Sequence, residues 1–426
     1  MLQVAAIKAQ FDQNVEALQK RGITNAQGLL NEVLELDELR KKTQQSLDEV
    51  LAISNQTAKK IGGLMKEGKK EEAEAAKKET AELKQKSKEL NEEMSNISEQ
   101  LKEKLYNIPN IPHSSVPAGK SEEDNEVIKL VDGNTPQLYD GAKPHWDLIE
   151  EYDIIDFELG NKITGAGFPV YKKGGARLVR AMINYFLDQA IAAGYMEVQP
   201  PILINEDSGY GTGQLPDKEG QMYQDINTNL YLIPTAEVPI TNLYRDVIVS
   251  EDDLPIKNVG YTPCFRREAG SWGSHVRGLN RLHQFDKVEI VQITRPEDSY
   301  KTLDEMVSHV ENLVASLGLP YRILRLCGGD LGFTSALTYD FEVYSAAQNK
   351  WLEVSSVSNF EAYQTNRLKL RIKDKDGKKQ LANTLNGSAL AIPRILAAIL
   401  ENNQTENEIK IPEVLHPYTG FQSITP

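Results

Sequence analysis

From Leu29 to Leu105 the chain contains no proline and no aromatic residue, and this stretch constrains the fold more than any other. Its second half places Ala73, Ala76, Thr80, Leu83, Ser87, Leu90, Met94, Ile97 and Leu101 at alternating steps of three and four, one narrow seam along a single helix. The first half repeats the spacing through Leu36, Leu39, Thr43, Ser46, Val50, Ile53 and Thr57. Gly62-Gly63 and Gly68 lie between the halves, where a helix can stop and reverse. A seam this narrow cannot bury itself, so the simplest solution is an antiparallel helical hairpin. A coiled coil between two chains ranks second, because the glycines fall near the midpoint. The small and polar seam residues predict a slender arm of modest stability. Residues 1–28 read as a short helical cap on its base.

Pro109, Pro112 and Pro117 then forbid a continuing helix, and the stretch reads as a linker. Beyond it aromatics appear. Short β-rich runs such as Tyr231-Leu232-Ile233 and Val288 to Ile293 alternate with turn clusters, and helical patterns cover Leu178 to Ala193 and Leu303 to Leu317. Strands adjoining strands predict an α+β domain on a mainly antiparallel sheet. The expected organisation is an arm over 1–108 (hairpin about 29–105), a linker over 109–120 and a second domain over 121–426.

The formal net charge is -14, from 48 Lys+Arg and 62 Asp+Glu, which taken alone argues against a nucleic-acid partner. The distribution softens that objection. Residues 29–105 hold 15 Lys+Arg and 17 Asp+Glu, leaving 33 and 45 for the remainder, so the acidity belongs mostly outside the arm. The arm also has local basic clusters such as Lys84-Gln85-Lys86-Ser87-Lys88. A specific RNA binder needs a basic stripe where phosphates pass, not a basic whole. Cys264 and Cys327 are too few for a disulfide scaffold or a cysteine-rich zinc module. The opening residues lack a secretory pattern and no apolar run is long enough for a bilayer, so the expectation is a soluble, cytoplasmic protein with no membrane partner.

Familiar catalytic signatures fail. Gly119-Lys120-Ser121 resembles the end of a phosphate-binding loop, but Ser114 stands where its first glycine is required. There is no dinucleotide fingerprint, no nucleophile elbow and no paired-histidine zinc motif. Four stretches carry chemistry instead. In Phe265-Arg266-Arg267-Glu268, an extended backbone would put Arg266 and Glu268 on one face, a cation and a carboxylate suited to the two ends of an adenylate. On the tetrapeptide alone, a surface ion pair is the better reading. Thr235-Ala236-Glu237 offers two acceptors for an ammonium group, although a solvated turn fits equally short evidence better. In Glu353-Val354-Ser355-Ser356, alternation pairs Glu353 with Ser355, oxygens that suit magnesium; an ordinary half-exposed strand is the plainer alternative. Finally, Pro393 fits the first turn of a helix, where Arg394 is unfavourable unless an anion is brought to it.

In this order the stretches resemble the three motifs of class II aminoacyl-tRNA synthetases, with Gly194-Tyr195-Met196-Glu197-Val198-Gln199-Pro200-Pro201 as the first. Within that class they are similar to the seryl-tRNA synthetases. The marks are Gly211-Thr212-Gly213-Gln214-Leu215-Pro216, Thr235-Ala236-Glu237, His283 to Glu289, Glu353 to Ser356, and Thr384-Leu385-Asn386-Gly387-Ser388, behind a helical hairpin. The resemblance spans the whole chain. It implies activation of L-serine with ATP and magnesium to seryl-adenylate, and transfer to the 3′ end of tRNA(Ser), with tRNA(Sec) as a further acceptor, by a homodimer.

The resemblance also implies roles. Arg266, Glu268 and Arg394 are the catalytic set. Arg266 would hold the α-phosphate and the serine carboxylate, Glu268 the adenine amino group, Phe285 the adenine ring and Arg394 the γ-phosphate. Arg267, Val354 and Ser355 complete the ATP segments, while Glu353 and Ser356 would hold magnesium, overriding the alternation that picks Ser355. Thr235, Ala236 and Glu237 would meet the serine amino group, and Glu289, Asn386 and Ser388 its hydroxyl. Trp272, in the loop Gly270 to Gly278, is bulkier than this pattern suggests and bears on contacts with the tRNA end.

Overall fold

The computed structural model describes residues 1–268 and 277–426, so Trp272 and most of its loop lie outside the described residues. By contacts the chain forms two compact units, one of residues 2–19 and 23–109, the other of residues 1, 20–22 and 110–426.

The first unit is built on helix α1 (Ala26–Lys66) and helix α2 (Lys70–Tyr106). The reversal is narrower than expected. Gly62 and Gly63 lie inside α1, and the chain turns at Gly68 with φ of +78°. There the Lys69 N–H donates to the Leu64 carbonyl at 3.0 Å and the Gly68 N–H to that of Met65 at 3.3 Å, the paired bonds of a Schellman cap. The α2 seam is as spaced: Ala73, Ala76, Thr80, Ile97 and Leu101 are buried. On α1 the buried positions are Ala26, Leu30, Val33, Asp37, Thr43, Leu47, Val50, Ser54 and Thr57, so the seam passes Leu47 and Ser54 where the sequence pattern picked Ser46 and Ile53. Leu39 and Ile53 are 45% and 47% exposed. The repeat permits two seams one step apart, and the choice between them depends on the partner helix, which the α1 sequence does not contain.

The second unit is organised by an eight-stranded sheet of β1 (Glu126–Val131), β2 (Met196–Glu197), β3 (Ile256–Phe265), β4 (Gln284–Thr294), β5 (Tyr321–Arg325), β6 (Leu337–Ser345), β7 (Lys350–Glu361) and β8 (Asn383–Ala391). Their spatial order is β1-β5-β6-β7-β8-β4-β3-β2. All pairings are antiparallel except that of β2 with β3. With the hairpin, this makes an α+β protein. Helices α3 (Lys173–Ala192), α4 (Ser299–Ser316) and α5 (Ile392–Asn402) contribute Phe186, Val310 and Ile399 to one apolar core that also takes Val288 and Ile290 of β4 and Leu385 and Ala389 of β8. Because side chains alternate along a strand, Lys287, Glu289, Asn386 and Ser388 are turned to the opposite face. That face carries the site.

The proline-rich stretch is non-helical yet pinned. Within this unit the buried Asn110 side chain donates to the carbonyls of Thr334 and Phe360 at 3.0 and 2.9 Å, and the His113 N–H donates to Ala336 at 2.8 Å. No helix among the described residues is long and apolar enough to cross a membrane.

Candidate active site

Strand β3 ends at Phe265, so Arg266 to Glu268 are not the strand assumed from sequence. Glu268 has φ of +47° and reaches Arg281, carboxylate to guanidinium at 2.8 Å. The Arg266 N–H still pairs with the His283 carbonyl at 2.9 Å, and its Nε donates to the Pro234 carbonyl at 3.3 Å. Its guanidinium lies 5.2 Å from the centre of the Phe285 ring, within cation–π range. Arg266, just past the end of β3, and Phe285 on the neighbouring β4 are thus brought together. The Arg267 N–H is tied to the Gln221 carbonyl at 2.9 Å.

Beside them lies a buried polar cluster. Thr235, Glu237, Lys287 and Glu289 are each at most 7% exposed. Lys287 Nζ is 2.6 Å from a Glu289 carboxylate oxygen and donates to Thr235 Oγ1 at 2.9 Å, and that hydroxyl in turn donates to Glu289 at 3.3 Å. The short helix Glu237–Asn242 presents Glu237, which accepts from Gln364 Nε2 at 2.6 Å. Burial, then the like charge of Glu289, push the Glu237 carboxyl up to about 7, against the pull of Gln364, Lys287 and Arg266. Across the β4–β8 pairing Glu289 is opposite Ser388, and Val291 is opposite Asn386. The Ala236 side chain is buried with Ile240 and Val291.

Lys287 and Gln364 were missed from sequence. Lys287 could have been found, since it stands two residues before Glu289 on a strand and therefore shares its face. Gln364 could not, because it is 127 residues from its partner Glu237 and lies in no motif.

The third group turns on a bulge. Opposite β6, Phe341 pairs with Ser355 and Glu342 with Glu353, so Val354 is an extra residue in β7. One inserted residue reverses the alternation beyond it, which puts Glu353 and Ser356 on one side. Ser356 Oγ donates to Glu353 Oε1 at 3.4 Å. Ser355 points away, 2% exposed, and donates to the Ser388 carbonyl at 2.6 Å. Simple alternation chose Ser355 because a bulge has no signature in this tetrapeptide. Asp340, missed from sequence, pairs with Ser356 across the strands. Burial and the Glu353 charge hold its carboxyl well above the ordinary range, and its buried Oδ1 has no hydrogen-bond partner among the described residues.

Helix α5 opens with Pro393 in its first turn and Arg394 after it. The Arg394 side chain spans two segments: Nη1 donates to the Glu353 carbonyl at 2.7 Å and Nε to the Asn280 carbonyl at 3.0 Å. The Glu353 carboxylate stands 3.5 Å from Nη1. The site therefore holds two fixed guanidiniums, a buried ammonium and several carboxylates. Among the described residues it offers no activated nucleophile: Cys264 is fully buried, and burial pushes its thiol up, away from the reactive thiolate. Positioning and charge neutralisation are what such a set can supply.

The chain is similar to known proteins over its whole length. Residues 1–112 match the seryl-tRNA synthetase N-terminal domain, and residues 221–403 match the tRNA synthetase class II core domain (G, H, P, S and T). The serine--tRNA ligase of Salinibacter ruber is 50% identical over 96% of each chain. That of Akkermansia muciniphila is 46% identical, covering 100% of this chain and 99% of its own. The crystal structure of seryl-tRNA synthetase from Pyrococcus horikoshii complexed with ATP superposes with a TM-score of 0.92 at 33% identity, covering 100% of both chains.

Proposed function

The chain belongs to the seryl-tRNA synthetase family, and on that premise we propose that its two units divide the work of a serine--tRNA ligase. The sheet unit activates L-serine with ATP, and the helical hairpin presents tRNA(Ser). One observation carries the choice of amino acid: a carboxylate only 1% exposed, Glu289, sits across from Ser388 and is bridged through Thr235 to the loop of Glu237. Such a pocket suits a small amino acid with a hydroxyl at one end and an ammonium at the other.

Arg266, stacked on Phe285, holds the serine carboxylate against the α-phosphate, while Phe285 supports the adenine and Glu268 reads its amino group. Glu237 and Thr235 take the ammonium. Glu289, with Asn386 and Ser388, takes the hydroxyl. The carboxylate oxygen attacks the α-phosphorus and the bond to the bridging oxygen breaks, so pyrophosphate leaves with its charge met by Arg394. A ribose hydroxyl of the tRNA then attacks the seryl carbonyl, and AMP departs.

Magnesium fits the third group. Glu353, Ser356 and the orphaned Asp340 Oδ1 are oxygen donors, the kind a hard cation requires. When bound, the ion would neutralise phosphate charge. The reading also includes a homodimer formed around the first motif, where Met196 of edge strand β2 is 57% exposed, and a cytoplasmic site of action.

Serine-dependent exchange of pyrophosphate into ATP, followed by charging of purified tRNA(Ser) and tRNA(Sec), tests the reading. Exchange with serine is expected. Exchange with alanine or glycine but not serine contradicts the assignment. Alanine should be rejected less strongly than the roughly 10⁴-fold of a site left with an unpaired polar group, because Glu289 keeps Lys287 and Thr235.

A further inference from the structure

Away from the substrate groups, His145 and Glu401 form an ionisable pair with no solvent exposure at all. Their chemistry is fully specified. The backbone N–H of Leu279 donates to His145 Nε2 at 2.9 Å, so Nε2 must be the unprotonated nitrogen. Nδ1 then carries the proton and donates it to Glu401 Oε1 at 2.6 Å. Glu401 also receives the His145 backbone N–H at 2.9 Å, Gln348 Nε2 at 2.8 Å and the hydroxyl of Ser345. A buried carboxylate is tolerable only with such a full complement of donors.

What this pair holds is a turn. Leu279 lies in the turn Gly278–Asn280, and Gly278 has φ of +65° with its backbone so near that an added Cβ would stand 2.3 Å from His145 Nε2. The next residue, Asn280, supplies the carbonyl that accepts Arg394 Nε at 3.0 Å, and its side chain donates to Gln348 Oε1 at 3.0 Å. Arg394 and Glu401 are on one helix, α5, seven residues and thus about two turns apart, so they share a face. A closed circuit results: Arg394 to the turn, the turn to His145, His145 to Glu401, and Glu401 back along α5 to Arg394.

We propose that His145 and Glu401 are positioning residues for Arg394, setting the guanidinium through the Gly278–Asn280 turn and so governing ATP binding during serine activation. This rests on the reading of Arg394 as a phosphate-binding residue. Neither side chain of the pair touches substrate in this account. A direct tie from Glu401 to Arg394 is excluded by the two-turn separation, so the circuit acts through the turn.

Two near-isosteric substitutions separate the contacts. In His145→Gln the amide oxygen can take the place of Nε2 and accept from Leu279. In His145→Asn the amide nitrogen can replace Nδ1 toward Glu401 while the turn loses its acceptor. In serine-dependent pyrophosphate exchange, His145→Asn should raise KM for ATP by about tenfold or more with KM for serine within about twofold, and His145→Gln should stay within about threefold of the native chain for both. A generally damaged fold would move both constants, and would not discriminate Gln from Asn. Gln348→Ala, which removes one link to Glu401 and one to Asn280, should raise KM for ATP alone by about two- to fivefold, and it decides the matter if His145→Asn does not fold. Native KM for ATP in both His145→Asn and Gln348→Ala, or equal rises in both KM values, overturns the proposal. Absence of serine-dependent exchange from the native chain overturns instead the reading on which it rests.

Discussion

Along the arm, a single seam of Val33, Leu47, Val50, Ala73, Ala76 and Ile97 leaves solvent, while Leu39 and Ile53 on the same helices' flanks stay nearly half exposed. In the sheet unit charged groups are buried together with the aliphatics: Glu237, Lys287, Glu289 and Glu401 are at most 7% exposed beside a core that runs from Val116 to Ile424, whereas the arm's one comparable group, Asp37, is paired with the part-exposed Arg40 and Lys41. The difference follows from what each unit has to do. A long hairpin needs a stiff outline and tolerates a thin seam of Ala, Thr and Ser. A site that binds an amino acid and a nucleotide needs desolvated charges, and those require a large rigid surround to hold their partners.

The sharpest way to break this contrast is to remove a single charge from each unit. Arg266→Ala and Arg394→Ala should each lower the rate of serine-dependent pyrophosphate exchange by about 10²–10³-fold or more, since each leaves phosphate charge unmet. No single lysine of the arm should lower exchange measurably. A hundredfold loss from any arm substitution, with the sheet unit folded, would undo the division.

The next test sets function against stability within the sheet unit. Folding raises the Glu237 carboxyl from its ordinary value near 4.5 to about 7, so the folded chain takes up a proton between those values. This group's cost to stability is therefore absent at pH 4 and complete above pH about 7. Glu237→Gln should raise the melting temperature of the free protein at pH 8, with the gain shrinking as pH falls toward 5. The same variant should raise KM for serine by about tenfold or more, because the ammonium loses its counter-charge. A gain independent of pH would show that the carboxyl is not held high.

Core deletions compare the two units directly. Leu385→Ala in the sheet core should cost about 3–5 kcal/mol and Leu47→Ala in the arm about 2–3 kcal/mol, because the thin seam can close over the gap. Denaturant titrations followed by a probe in each unit read the two costs separately. Equal costs would mean that the seam is as tightly packed as the core.

The smallest effects concern the reversal. Gly63 lies inside α1 with open space about its Cβ, so Gly63→Ala should stabilise the arm by about 0.5–1 kcal/mol. Gly68 also has open space but a φ of +78°, so Gly68→Ala should destabilise it by about 1 kcal/mol. Opposite signs, read as arm melting, place the turn at Gly68; matching signs would not.

These residues also show where sequence was sufficient. The hairpin and the antiparallel α+β class follow from spacing, because periodicity survives in any context. Arg394 at a helix start was conspicuous for the same local reason. What escaped depends on partners. The seam's choice of Leu47 over Ser46 is made by α2, and the bulge at Val354 that turns Ser356 toward Glu353 arises only when β7 meets β6. Gln364, Asp340 and the His145–Glu401 pair are brought in by topology, with no motif around them. Glu268, assumed to lie on a strand face, instead follows the end of β3 in a left-handed conformation.

The division of labour itself is tested most directly by deleting Glu32 to Leu105 and measuring two activities on one preparation. Serine-dependent pyrophosphate exchange should persist within about threefold of the full chain, while charging of tRNA(Ser) should fall by about 10²-fold or more. Loss of both activities from a variant whose sheet unit remains folded, or retention of both, would contradict the account.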